Sequence, residues 1–138
     1  MSFKTDLITK RPVAKDNCWI VQEPLVWEDD KYEIKVLRGF DFDFASIPKI
    51  ITNILPKNGQ EYDRAACLHD ALYASQWLPK AECDRLFYDA MIADGVNKAK
   101  AWSMYTAVRL FGHSAYKDGD EEETARYRAL TVVGKKGQ

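Results

Sequence analysis

His69, Asp70 and Tyr73 lie within five residues of one another, in the stretch Asp63-Arg-Ala-Ala-Cys-Leu-His69-Asp70-Ala-Leu-Tyr73. Their types suit acid–base or metal chemistry. An imidazole titrates near neutrality, a carboxylate can ligate a cation or orient a base, and a phenol can donate to either. The stretch is rich in Ala and Leu and free of Gly and Pro, so it predicts a helix. On that helix His69 and Tyr73 are four residues apart and Asp70 and Tyr73 three apart, which lets the polar groups share one side. A second helical run, Ala81-Glu82-Cys83-Asp84-Arg85-Leu86-Phe87, follows Pro79. Across an antiparallel pair, Asp84 can face His69 and fix its tautomer, the usual support of a general base. The same residues also fit a hydrogen-bonded knot between helices, in which the polar groups satisfy one another.

The surrounding elements must position this group. Cys18 to Gln22 and Leu25 to Trp27 read as strand runs, and Tyr32, Ile34 and Val36 alternate with charged residues as a half-buried strand does. Together they predict a hairpin turning at residues 28–31. In Gly39-Phe40-Asp41-Phe42-Asp43-Phe44-Ala45-Ser46-Ile47-Pro48 three rings alternate with two carboxylates. Ser46 is expected to cap a short apolar helix over 47–55, and no nucleophile elbow surrounds it. Asp43 lies on the strand that leads into the helices and can reach the His69 region. Ala99, Trp102, Tyr105, Ala107, Val108 and Phe111 predict the apolar face of a third long helix. His113 follows Gly112 and is expected near a helix C-terminus as a simple charge. The expected fold is therefore α+β, an N-terminal antiparallel hairpin or small sheet followed by three main helices, the middle pair antiparallel.

The 138 residues suffice for one domain, and 46% hydrophobic residues with four Trp allow a real core. A net charge of −1 gives no reason to expect nucleic acid or an anionic membrane as a partner. No stretch has the length of a transmembrane helix, and the opening residues show no apolar run like a signal peptide. Synthesis and folding in a cytoplasm are expected, so Cys18, Cys67 and Cys83 are expected to stay free thiols. Their spacing shows no zinc site. The expected organisation is an N-terminal arm (1–17), one domain (18–116) and a charged C-terminal tail (117–138). Both ends carry few regularly spaced apolar residues, so neighbouring subunits are expected to order them.

Two resemblances bear on function. Gly39-Phe40-x-x-Asp43-x-Ala45-Ser46-Ile47-Pro48, then Ala65-Ala66-x-x-His69-Asp70-x-Leu72-Tyr73, then Asp84-x-x-Phe87, resembles a bacteriophage family known as domain of unknown function 1353. That likeness runs from about residue 20 to 115 and implies a phage or prophage origin, with no established activity. Over about 25 residues, Asp63-x-Ala65-Ala66-x-x-His69-Asp70-x-x-Tyr73 with Cys83-Asp84-Arg85 is similar to the paired helices of secreted phospholipase A2 and its viral capsid relatives. The similarity implies His69 as the base that activates water, Asp84 as the residue orienting it, Tyr73 as a supporting hydrogen bonder and Asp70 as a ligand of calcium or another divalent metal. Asp43 would supply a further ligand. The chain departs from that pattern in lacking its glycine-rich calcium loop and its disulfides.

The expected function is a virion- or tail-associated subunit with a structural or assembly role, partnered by other phage proteins. The alternative is a metal-assisted hydrolase acting on a host envelope lipid or cell-wall bond. A metal-dependent phosphohydrolase of the HD class would need a further histidine upstream of His69, and none is present.

Overall fold

The computed structural model describes residues 1–12, 18–43, 62–117 and 120–136. The expected Ser46 cap, the 47–55 helix and the loop after it lie outside these residues. Among the described residues there are seven strands: β1 (Ser2–Phe3), β2 (Thr9–Lys10), β3 (Trp19–Val21), β4 (Leu25–Glu28), β5 (Tyr32–Val36), β6 (Asp41–Phe42) and β7 (Thr131–Lys135). The helices among the described residues are α1 (Asp63–Ser75), α2 (Lys80–Ala93), α3 (Lys98–Phe111), α4 (His113–Lys117) and α5 (Glu121–Ala129).

Alternation builds the main sheet. Leu25, Trp27, Tyr32, Ile34 and Val36 all turn one way into the core, while their neighbours are more exposed. β4 and β5 pair antiparallel with Leu25 opposite Val36 and Trp27 opposite Ile34. Asp29 closes their turn by accepting from the backbone N–H groups of Lys31 and Tyr32 and from the Trp27 indole. The sheet order is β1-β4-β5-β7, and a second, three-stranded sheet runs β2-β3-β6; every pairing is antiparallel.

This topology overturns the expectation of an N-terminal hairpin or small sheet followed by three main helices. Strands are spread through the chain in two sheets, and β7 returns after the helices to close the main sheet. Both ends are held by the chain's own strands. Phe3 packs edge-on against Trp27, with ring centres 5.0 Å apart, and Lys4 donates its backbone N–H to Val26. α5 has no buried residue, yet Arg128 anchors it by donating to the carbonyls of Ser75 and Gln76.

α1 and α2 form the layer that matters for the site. Arg64, at the start of α1, grips Asp94, at the end of α2, through two contacts of 3.0 Å, so the two helices run antiparallel. α1 stops at Gln76, which adopts a left-handed conformation (φ 52°) and donates its N–H to the Leu72 carbonyl. α2 stops where Gly95 takes φ 88°, a conformation that glycine adopts without the steric cost of a Cβ. Asn97 then caps α3 by accepting from Ala99 and Lys100. The buried face of α3 is Ala101, Met104, Ala107 and Val108, whereas Trp102 and Phe111, expected on that face, are exposed.

Candidate functional site

The amphipathic logic of α1 is inverted at its centre, because residues 65–73 are buried on every side. His69, Asp70 and Tyr73 thus enter the interior with the small side chains around them. His69 Nε2 lies 2.8 Å from Asp84 Oδ1, and the Tyr73 hydroxyl donates to the same oxygen at 2.5 Å. The pairing expected across α1 and α2 is present. Neither the His69 nor the Asp84 side chain has any exposed surface.

The other carboxylate oxygen, Asp84 Oδ2, accepts from Lys80 Nζ at 2.8 Å and from Arg109 Nη1 at 3.3 Å. Lys80 also donates to the carbonyls of Val108 and Arg109, which ties the end of α3 to α2. Asp84 therefore collects donors from three helices. Sequence reasoning missed Lys80 and Arg109. Lys80 precedes Asp84 by one helical turn, a spacing that favours an ion pair and could have revealed it. Arg109 lies 25 residues away and carries no local signal.

Burial pushes the Asp84 carboxyl up, but the hydrogen bonds from His69, Lys80 and Tyr73 outweigh it and lower its pKa to about 2. Burial also lowers the His69 pKa, against the opposing pull of Asp84. At neutral pH the group is therefore a carboxylate beside a neutral imidazole. An ionised carboxylate only accepts, so the imidazole proton resides on Nε2 and points at Asp84. Burial and the neighbouring Asp84 push the Tyr73 hydroxyl well above the ordinary phenol range, keeping it a donor.

Aromatic rings seal the imidazole. The Phe87 ring stacks on His69 with centres 4.6 Å apart, and the Tyr73 ring lies at 4.1 Å. Gly112 allows this close packing: a Cβ there would sit 2.5 Å from the Val108 carbonyl oxygen and 2.7 Å from the Tyr73 hydroxyl.

Asp70 and Asp43 line one cleft of about 340 Å³ with Asp41, Phe40, Phe42 and Tyr73. His69 does not reach this cleft. Among the described residues, no three His, Cys, Asp or Glu side chains gather as a metal site. His113, at the start of α4, is exposed and stands apart from the group. All three cysteines are free, with Cys67 and Cys83 buried. Burial raises both of those thiols, Cys83 to about 12, so neither is a ready nucleophile.

The family described as "Protein of unknown function (DUF1353)" matches residues 19–108, a range that includes His69, Tyr73, Lys80 and Asp84. "Uncharacterized protein y4iH" of Sinorhizobium fredii (strain NBRC 101917 / NGR234) is 37% identical over 95 residues. That alignment covers 67% of this chain and 40% of the relative, so the chain spans well under half of the relative's length. No solved structure matches the chain. No described helix is long and apolar enough to cross a membrane.

Proposed function

The chain belongs to the DUF1353 family of proteins of unknown function, and from that premise we propose that it is a phage-encoded, virion- or tail-associated subunit with a structural role. In this reading it is made in the host cytoplasm and carried by the particle among other virion or tail proteins. The Asp84-centred group locks α1, α2 and α3 together. One observation carries the reading: neither the His69 nor the Asp84 side chain has any exposed surface. A general base must touch the water it activates. This imidazole is enclosed by Asp84, Tyr73 and Phe87 instead. The phage origin rests on the likeness of the three ordered motifs around Asp43, His69 and Asp84.

A hydrolase similar to phospholipase A2, acting on an envelope lipid or cell-wall bond, is the second reading. Two observations favour it. Asp70, Asp43 and Tyr73 line a cleft next to the buried pair. The ends are also held within the chain, which removes the argument that neighbours must order them. The enclosure of His69 outweighs both, since it bears on the reacting atom itself.

The test is His69→Ala, assayed for fatty-acid release from phospholipid vesicles and for cell-wall solubilisation, with and without calcium. A structural lock predicts background rates in both proteins and a lower melting temperature for the variant. A wild-type activity that falls about a hundredfold or more in a folded variant replaces the structural reading with the hydrolase.

A further inference from the structure

Helix α3 is two-sided in its packing. Ala101, Met104, Ala107 and Val108 turn to the core. On the other side Ala99, Trp102, Thr106 and Leu110 recur at spacings of three and four, so they share one outer stripe. Trp102 is 54% exposed and Leu110 67%, and Phe111 adds apolar surface at the end of the helix. The Trp102 indole is held in place from the sides by Tyr88 of α2 and by Tyr105, with ring centres 5.8 and 5.3 Å away. Exposed large apolar side chains grouped on one face mark an interaction surface more often than scattered ones do.

The net charge of −1 conceals where the charges lie. No acidic residue occurs between Asp94 and Asp118, while Lys98, Lys100, Arg109 and Lys117 do. Lys98 and Arg109 are eleven residues apart, about three turns, so they flank the stripe on the same side. Lys98 is exposed, and the Arg109 side chain is 40% exposed beyond its contact with Asp84. On α2, next to Tyr88, the Asp89 carboxylate is paired with Arg85 at 3.5 Å. We propose that this outer face of α3 docks the protein reversibly on an anionic lipid surface, with the helix lying in the plane of the interface. The basic flank selects the negative headgroups. An indole suits the headgroup level, where its ring is apolar and its N–H meets polar atoms, and Leu110 and Phe111 reach the acyl boundary. Lys98 and Arg109 can lay their stems along that boundary and keep their charges at the phosphates. A single helix face is convex, which fits a flat surface; docking of a peptide helix uses a groove. At 14 residues α3 is about 21 Å long, too short to span a hydrocarbon core of about 30 Å. The inference is independent of the lock around Asp84, and either can fail alone.

Flotation of the full chain with vesicles of phosphatidylglycerol and phosphatidylcholine tests it. The bound fraction should rise with the share of phosphatidylglycerol, fall steeply as salt is added, and be near background on pure phosphatidylcholine. Trp102→Ala should weaken partitioning at least about tenfold, through lost apolar burial. Lys98→Gln should weaken it about fivefold, through one lost charge near the surface. Both side chains are exposed, so both variants should fold, which thermal melts check. Val132→Ala, at an exposed apolar residue on β7, should bind as the parent does. No flotation with phosphatidylglycerol vesicles at low salt overturns the proposal. So does binding to pure phosphatidylcholine as strong as to the anionic vesicles, or binding that neither α3 variant weakens. Self-association that depends on Trp102, without vesicle binding, assigns the face to a second copy and overturns it as well.

Discussion

Replacing Asp84 by alanine removes the acceptor on which three helices converge, and the structure sets the size of the loss. The His69 N–H and the Tyr73 hydroxyl are left buried without their acceptor, at about 1–3 kcal/mol each. Lys80 keeps the carbonyls of Val108 and Arg109, and Arg109, with its side chain 40% exposed, can turn to water. The two cations therefore add little. The expected total is about 4 kcal/mol, in the range seen when one partner of a buried charged group is removed. For a chain of this size that corresponds to a fall of about 14 °C in melting temperature. Asp84→Asn should cost less, about 1–3 kcal/mol, because it keeps the volume and one acceptor oxygen while turning an amide toward Lys80 and Arg109. Urea unfolding followed by circular dichroism measures both. An Asp84→Ala variant within about 0.5 kcal/mol of the parent would refute the lock, since that is the range of ordinary surface changes.

Three further outcomes follow from the same geometry. Stability should fall on acidification in two windows. The folded-state pKa of His69 is lowered, so stability is lost as pH drops below about 6.5, where the unfolded chain takes up a proton that the fold refuses. The Asp84 contribution, about 2 kcal/mol from a pKa lowered from 3.8 to about 2, is present above pH 3.8 and lost below it. A pH series of urea melts should show both, and His69→Ala should abolish the first. Gly112→Ala should destabilise by about 1–3 kcal/mol, because its Cβ meets a backbone carbonyl and displaces the Tyr73 hydroxyl; thermal melts check this. Met104→Ala should cost about 2–5 kcal/mol in the same assay, whereas Trp102→Ala, at a side chain more than half exposed, should cost under about 1 kcal/mol.

The centre of the site was legible because local rules determine it. Helical spacing groups His69 with Tyr73, and the short linker through Trp77, Leu78 and Pro79 folds Asp84 back onto them. What the sequence concealed was access to solvent. Nothing in the residue types distinguishes an imidazole facing a cleft from one covered by Phe87. The face of α3 was legible in part: Ala107 and Val108 are buried as expected, but the bulk of Trp102 and Phe111 drew the face round to the exposed side, while Ala101 and Met104 complete the packed one. β7 escaped notice for a different reason. It is five residues long, and its partner β5 lies about a hundred positions earlier, so pairing rather than periodicity makes it a strand. The rings of Phe40 and Phe42, which alternate with Asp41 in the sequence, do lie near one another, with centres 6.2 Å apart.

The claim that the group is a sealed lock is tested most directly by nitrogen-resolved NMR of the His69 ring across a pH titration. A sealed lock should show a neutral ring carrying its proton on Nε2, a slowly exchanging Nε2 proton, and protonation only below the ordinary histidine value of about 6.5. A ring that titrates at the ordinary histidine value and exchanges its proton freely with water would contradict it, and would return His69 to the solvent contact that catalysis requires.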